Sequence, residues 1–195
     1  SLEAGEVTTV SKINTIADGT AVQTPGDKLF PYLQANVDHV ITVDDSELTL
    51  SFLDMAENHK MIVENSGLLT VAALKHLDFK GKKVVSVLSG GNMDVLTMAT
   101  VVQNGLMQRD RIFTVSVMLP DKPGQLAAVS SLIAKEQGNV IKLEHNVFAN
   151  VNRTAGVELT ITLESFGTEH KDQIIKALEA AGYCPVITKT NGIYM

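Results

Sequence analysis

The sequence predicts a chain in two parts, an α/β segment followed by a small α+β domain of order β-α-β-β-α-β. Three observations carry this. Residues 1–108 alternate short β-branched runs with helical patterns, the wiring of a parallel sheet covered by helices. In VELTITLE (157–164), Val157, Leu159, Ile161 and Leu163 alternate with Glu158, Thr160, Thr162 and Glu164, which marks a strand with one buried face. Between residues 109 and 195 the strand and helix signals fall in split-βαβ order. The expected parts are therefore 1–108 and 109–195.

In the first part, Gly26 and Asp27 open a helix over PGDKLFPYLQANV, where Pro31 is early enough to be tolerated. HVITV (39–43) predicts a β-branched strand. Asp44 and Glu47 stand at capping-box spacing, and Leu48, Phe52 and Met55 then mark one helical face. MIVE (61–64) is another short apolar run, and SGLLTVAALKHL predicts a helix ending near Gly81. KVVSVL (83–88) is apolar on both faces, as buried parallel strands are. NMDVLTMATVVQNG predicts a helix with Asn92 as its cap and Gly105 as its stop; Met93, Met98 and Met107 read as filler.

In the second part, RIFTVSVML puts Phe113, Val115, Val117 and Leu119 on one face, and LPDKPGQL breaks that strand. A helix follows with Leu126, Val129, Leu132 and Ile133 toward a core. Strand NVIKLEHNV alternates through Ile141, Leu143 and Val147; Glu144 and His145 read as its polar positions. The second helix buries Ile174, Leu178 and Ala181 and stops at Gly182, and CPVIT (184–188) is the last strand.

Composition excludes several function classes. A net charge of -6 argues against a nucleic-acid partner, which needs a basic surface. No apolar run approaches the roughly 20 residues of a membrane span, and SLEAGEVTT has no signal-peptide pattern. Cys184 is the only cysteine, which rules out an internal disulfide and fits a reducing cytoplasm. The 5 histidines show no ligand spacing, so no metal site is expected.

TIADG (15–19), VENSG (63–67) and VLSGGN (87–92) then share one likeness. Their order and spacing resemble the C-terminal part of the catalytic domain of threonine and serine ammonia-lyases, fold type II pyridoxal-phosphate enzymes that include serine racemase. DKPGQL (121–126), supported by GNV (138–140), resembles the loop of an ACT domain, a regulatory module of amino-acid enzymes. The implied fold is part of a fold type II catalytic domain followed by a ferredoxin-like ACT domain. The family holds its cofactor as a Schiff base on a lysine in a Ser-x-Lys-x-Arg-like motif and cradles the phosphate in a glycine run. Neither motif occurs here, and both precede TIADG in the family. The chain is accordingly expected to be a portion that follows them, without catalytic residues of its own and inactive alone. VENSG also departs from the family's Glu-Gly-Ala-Gly, with Asn65 and Ser66 in the middle.

The resemblance implies that Ser89, at a strand's carboxyl end, bonds the pyridine nitrogen of pyridoxal phosphate. SGGN taken alone fits a strand end and turn. A hydroxyl cannot balance a pyridinium charge, so the ring stays neutral and elimination is favoured over transamination. Gly90, with Gly91 beside it, lets backbone approach a ligand. Gly19 is expected to face cofactor and substrate, with Asp18 a turn residue. Glu64 is either a neighbour of the ring or a helix cap.

The ACT likeness implies an effector site on Asp121, Lys122, Pro123, Gly124, Gln125 and Leu126, with Asn139 and Val140 supplied across a subunit interface. A fold used only for assembly is the alternative. The expected whole is a cytoplasmic threonine ammonia-lyase, a homo-oligomer of at least two subunits, forming 2-oxobutanoate and ammonia, with serine a second substrate. A link to isoleucine biosynthesis follows. A serine racemase and a non-catalytic amino-acid-binding regulator are the rivals.

Overall fold

The computed structural model describes residues 1–146 and 156–190. The chain divides into two compact units, Ser1–Val102 and Gln103–Met195.

The first unit is helical with long extended connections. Helix α1 is Phe30–Asn36, with Pro31 in its first turn, where no amide partner is lost. Helix α2 is Asp45–Asp54, and its Asp44–Glu47 capping box is in place. The Asp44 N–H first, and then His76 at 2.9 Å, hold the Glu47 carboxyl below its ordinary value. A π turn, Met55–His59, prolongs α2. A 3-10 turn, Asn65–Leu68, leads into the short helix α3, Leu69–Ala72, and a further turn, Ala73–His76. Leu48, Phe52 and Met55 pack with Ala17, Val63, Leu68, Ala72 and Val101 in one buried cluster.

Several expectations for this unit need correction. Neither 39–43 nor 83–88 is a strand; neither has a ladder partner among the described residues, and Val85 is 88% exposed. The apolar sequences suit a sheet interior, but a strand exists only through ladder partners, and none lies beside them. The helix expected to reach Gly81 breaks at His76, where Leu77 turns extended. Helix α4, Val95–Gln108, runs straight through Gly105. It stops at Asp110, at φ 54°, where Arg111 N–H bonds the Leu106 carbonyl at 2.9 Å in a Schellman pattern. Its cap is Asp94, which accepts the Thr97 N–H at 3.0 Å, and not Asn92.

The second unit is the split βαβ arrangement. Strands β1 (Ile112–Leu119), β2 (Asn139–Asn146), β3 (Val157–Glu164) and β4 (Val186–Thr188) form a sheet of order β2-β3-β1-β4, every pairing antiparallel. Helices α5 (Gln125–Lys135) and α6 (Thr168–Ala180) cover one face. There Phe113, Val115, Val117 and Leu119 stand opposite Leu163, Ile161, Leu159 and Val157. Val129, Ile133, Ile174 and Leu178 close the core from the helices.

The other sheet face is polar. Thr114 and Thr162 bond each other at 3.0 Å, and Lys142 pairs with Glu144 at 2.7 Å. Leu126 is 38% exposed and Ala181 lies outside the packed face, so neither is the core residue expected. A bulge between Val140 and Lys142 displaces Ile141 from the alternation. Beyond it, Leu143 opposes Ile161 and His145 opposes Leu159, on the helix side. Val147 lies outside the described residues.

Two polar anchors complete this unit. Buried His170 accepts the Phe166 N–H on Nδ1 at 3.0 Å and donates from Nε2 to the Glu136 carbonyl, tying the start of α6 to the end of α5. Asp110 takes Thr168 Oγ1 at 2.8 Å and Lys171 Nζ at 2.9 Å. Partial burial pushes its carboxyl up, but these two bonds and the lysine charge prevail and hold it below the ordinary value.

Candidate functional site

Three stretches far apart in sequence meet in the first unit. The Glu64 N–H faces the Gly90 carbonyl at 3.4 Å, and Glu64 Oε2 accepts the Asn92 N–H at 3.2 Å. Gly90 has φ +82°, and a Cβ there would fall 2.1 Å from Glu64 Oε1. A Cβ on Gly67 would fall 1.9 Å from the Ser89 carbonyl oxygen. These two glycines let 64–67 and 89–92 lie against each other at a distance no side chain permits. Gly19 completes the group: a Cβ there would meet Ser66 Oγ at 2.9 Å and Glu64 Oε1 at 3.7 Å. Gly19, Glu64 and Gly90 therefore converge, and Ser89 stands exposed beside them.

Local chemistry explains why the stretches stay together. Asp45, the first residue of α2, accepts Thr15 Oγ1 at 2.5 Å and the Ile16 N–H at 3.1 Å. Asn65 Nδ2 donates to the Ile16 carbonyl at 3.0 Å. Thr70 Oγ1 donates to the Val87 carbonyl at 3.0 Å, so a side chain takes the place of a missing ladder bond. Asn65 Oδ1 and Ser66 Oγ are buried and have no hydrogen-bond partner in the structure. Such orphans carry a desolvation penalty that a ligand or water can relieve.

These residues fit the ring end of pyridoxal phosphate. A hydroxyl is exposed at the mouth, glycines at 19, 67 and 90 let the three stretches close on one another beside it, and Asn65 and Ser66 carry buried polar atoms without a partner. The phosphate end has no counterpart, since Gly90-Gly91 is the chain's only paired glycine.

In the second unit, the loop 121–126 lines a cavity of ≈ 310 Å³ together with Leu119, Pro120 and His145. Gly124 has φ +90° and precedes the first turn of α5, whose amides have no carbonyl partner within the helix. The Gln125 N–H already faces the Lys122 carbonyl at 3.4 Å. Asn139 and Val140 lie at the opposite end of β2 from His145 within one chain. Asn139 there donates to Glu164 Oε2 at 3.1 Å.

Sequence reasoning missed Asp45, Asn65 and His145. Asp45 directly follows the capping residue Asp44, and nothing in the sequence pattern sets it apart. The substitution of Asn65 in VENSG was the available signal for its role. His145 is in phase with Leu143, so the alternation of its strand was the available signal for its side of the sheet.

Comparison with known proteins finds two family matches along the chain. Residues 1–90 match the family model "Pyridoxal-phosphate dependent enzyme". Residues 113–182 match the model "ACT domain". An L-threonine ammonia-lyase of Geobacter sulfurreducens is 36% identical over 97% of the chain and 48% of its own length. One of Thermotoga maritima is 34% identical over 94% of the chain and 46% of its own length. The chain thus spans about half the length of these curated relatives. The structure of a processed threonine deaminase isoform 2 from Solanum lycopersicum is 25% identical, with a TM-score of 0.48, covering 53% of this chain and 32% of that one. Residues 1–90 therefore belong to the pyridoxal-phosphate dependent enzyme family, and residues 113–182 form an ACT domain.

Proposed function

We propose that this chain is part of a pyridoxal-phosphate-dependent threonine ammonia-lyase, which converts threonine to 2-oxobutanoate and ammonia and also accepts serine. The observation that carries the reading is the meeting of Gly19, Glu64 and Gly90 beside Ser89, on a chain 36% identical to an L-threonine ammonia-lyase over 97% of its length. Pyridoxal phosphate, when bound, supplies an electron sink that acidifies the α-carbon of an amino acid. The Ser89 hydroxyl would hold the ring nitrogen without placing a carboxylate beside it, which keeps the sink moderate and suits elimination of a β-hydroxyl. Gly90 and Gly19 let the backbone close in on Glu64 beside Ser89. Glu64, fixed by the Asn92 amide, flanks it. The chain carries no Ser-x-Lys-x-Arg-like motif, so the proton at the α-carbon is handled by a lysine it does not contain, and the chain alone is inactive.

The ACT domain in this reading senses an amino acid and shifts the catalytic part's state. A small apolar effector, isoleucine or valine before others, would set its carboxylate at the first turn of α5 beside Lys122. The β2 and β4 edges favour a homodimer in which Asn139 and Val140 of a second subunit approach the loop, and a single cysteine suits a cytoplasmic setting. No helix among the described residues is long and apolar enough to cross a membrane.

The test is ammonia release from threonine and serine, by this chain alone and by a version extended with the lysine and glycine-run segment. Activity is expected only in the extended protein, with Ser89→Asp diverting turnover toward transamination. Oxo-acid formation by the chain alone would overturn its inactivity. D-serine formation without ammonia would favour a racemase. The missing lysine motif also suits a non-catalytic regulator, which inactivity of the extended protein would support.

A further inference from the structure

We propose that Asp45 and Asn65 are positioning residues, which hold the two peptide groups flanking Ile16, one by its N–H and one by its carbonyl, and thereby set where Gly19 stands against Glu64. The inference rests on the cofactor reading above.

The grip is complete. Asp45 Oδ2 accepts the Ile16 N–H at 3.1 Å, and Asn65 Nδ2 donates to the Ile16 carbonyl at 3.0 Å. Asp45 Oδ1 accepts Thr15 Oγ1 at 2.5 Å, and the same hydroxyl oxygen accepts the Ala17 N–H at 3.2 Å. Both anchors are themselves fixed. Asp45 opens a capped helix that buries Leu48 and Phe52, each 1% exposed. Asn65 is 4% exposed and directly follows Glu64. Ala17 is buried, and two residues beyond it Gly19 lies over Ser66 and Glu64. Moving the backbone at Ile16 therefore moves the Gly19 wall of the site.

The chemistry of position 45 is specific. A carboxylate has two oxygens and accepts from Thr15 and Ile16 together. A neutral amide of the same size offers one acceptor and must turn a donor toward the other partner. Asn65 must likewise be a donor toward Ile16, a role the glycine of the family's Glu-Gly-Ala-Gly does not supply. The grip is thus built from a residue at which this chain departs from the family pattern.

The experiment is a titration of the isotopically labelled 195-residue chain with pyridoxine 5′-phosphate, followed at the backbone amides. This probe lacks the aldehyde and forms no lysine adducts. In the unsubstituted chain, the Gly19, Ser89 and Gly90 amides should shift together. Asp45→Asn should keep the Ser89 response, lose the Gly19 response, weaken binding about tenfold and speed exchange at the Ile16 and Ala17 amides about tenfold, as loss of one charge-assisted bond does. Thr15→Val should reproduce this without touching α2, and Thr15→Ser, which keeps the hydroxyl, should restore the unsubstituted behaviour. Gly19 responses and affinity unchanged in both Asp45→Asn and Thr15→Val would overturn the proposal. Absence of any response at Ser89 and Gly90, both in the unsubstituted chain and in the version extended with the lysine and glycine-run segment, would overturn the cofactor reading itself, and the positioning role with it.

Discussion

The two units hold themselves together by different means. The second unit is a closed ladder in which Val115, Val117, Leu159, Ile161 and Leu163 are fully buried and each strand finds partners within the unit. The first unit carries comparable apolar runs at 39–43 and 84–88, yet Val40, Val85 and Val87 stand exposed. Its three site stretches are joined by single hydrogen bonds from Asp45, Asn65, Glu64 and Thr70. Burial is distributed over many residues in one unit, whereas geometry is concentrated in a few polar contacts in the other. The second unit should resist single substitutions at its surface and fail at its centre, and the first unit should be sensitive wherever a contact is unique.

The largest effect should come from the ladder. Leu159→Ala empties a fully buried position and should cost about 2–5 kcal/mol, read as a lower denaturant midpoint for the second unit's signals. Next is the seam of the first unit. Gly67→Ala places a Cβ on the Ser89 carbonyl and should cost about 1–3 kcal/mol, seen as faster amide exchange at 64–67 and 89–92. A loss in Gly67→Ala as large as in Leu159→Ala would erase the contrast between the units.

Ser66→Ala should act in the opposite direction. It removes a buried hydroxyl without a partner and should raise stability by about 1 kcal/mol in calorimetry without ligand. A loss of stability instead would mean that the hydroxyl is satisfied in solution.

The Asp110 contact should contribute less. Its carboxyl is held below the ordinary 3.8, so its stabilisation is present above that pH and fades as pH falls through the lower folded value. Asp110→Asn should remove this acid-side slope and cost well under about 1 kcal/mol at neutral pH, since the pair is partly solvated. The smallest effect belongs to Val85→Thr, within about 0.5 kcal/mol on thermal unfolding. A substantial loss there would show that residues 84–88 are covered in solution.

The same contrast decides what could be read in advance. The βαββαβ order was legible because Val157, Leu159, Ile161 and Leu163 repeat with period two, and that period is a local property of the chain. The strands at 39–43 and 83–88 were misread because a parallel strand is defined by neighbours, which no local pattern reveals. Ser89, Gly90, Glu64 and Gly19 were named from resemblance, and their meeting depends on long-range bonds from Asp45 and Asn65. Asp110 as a helix stop was hidden because a non-glycine residue in the left-handed region is uncommon.

Cys184 lies just before β4, at the edge of the sheet, exposed, and it is the only thiol in the sequence. A thiol-directed spin label would therefore attach at one defined place without any engineered cysteine. Its mobility would report whether that edge is bare or covered. In an assembly of two chains the label would provide a single interspin distance, with no background from other sites. One unpaired sulfur thus makes the natural sequence its own molecular ruler.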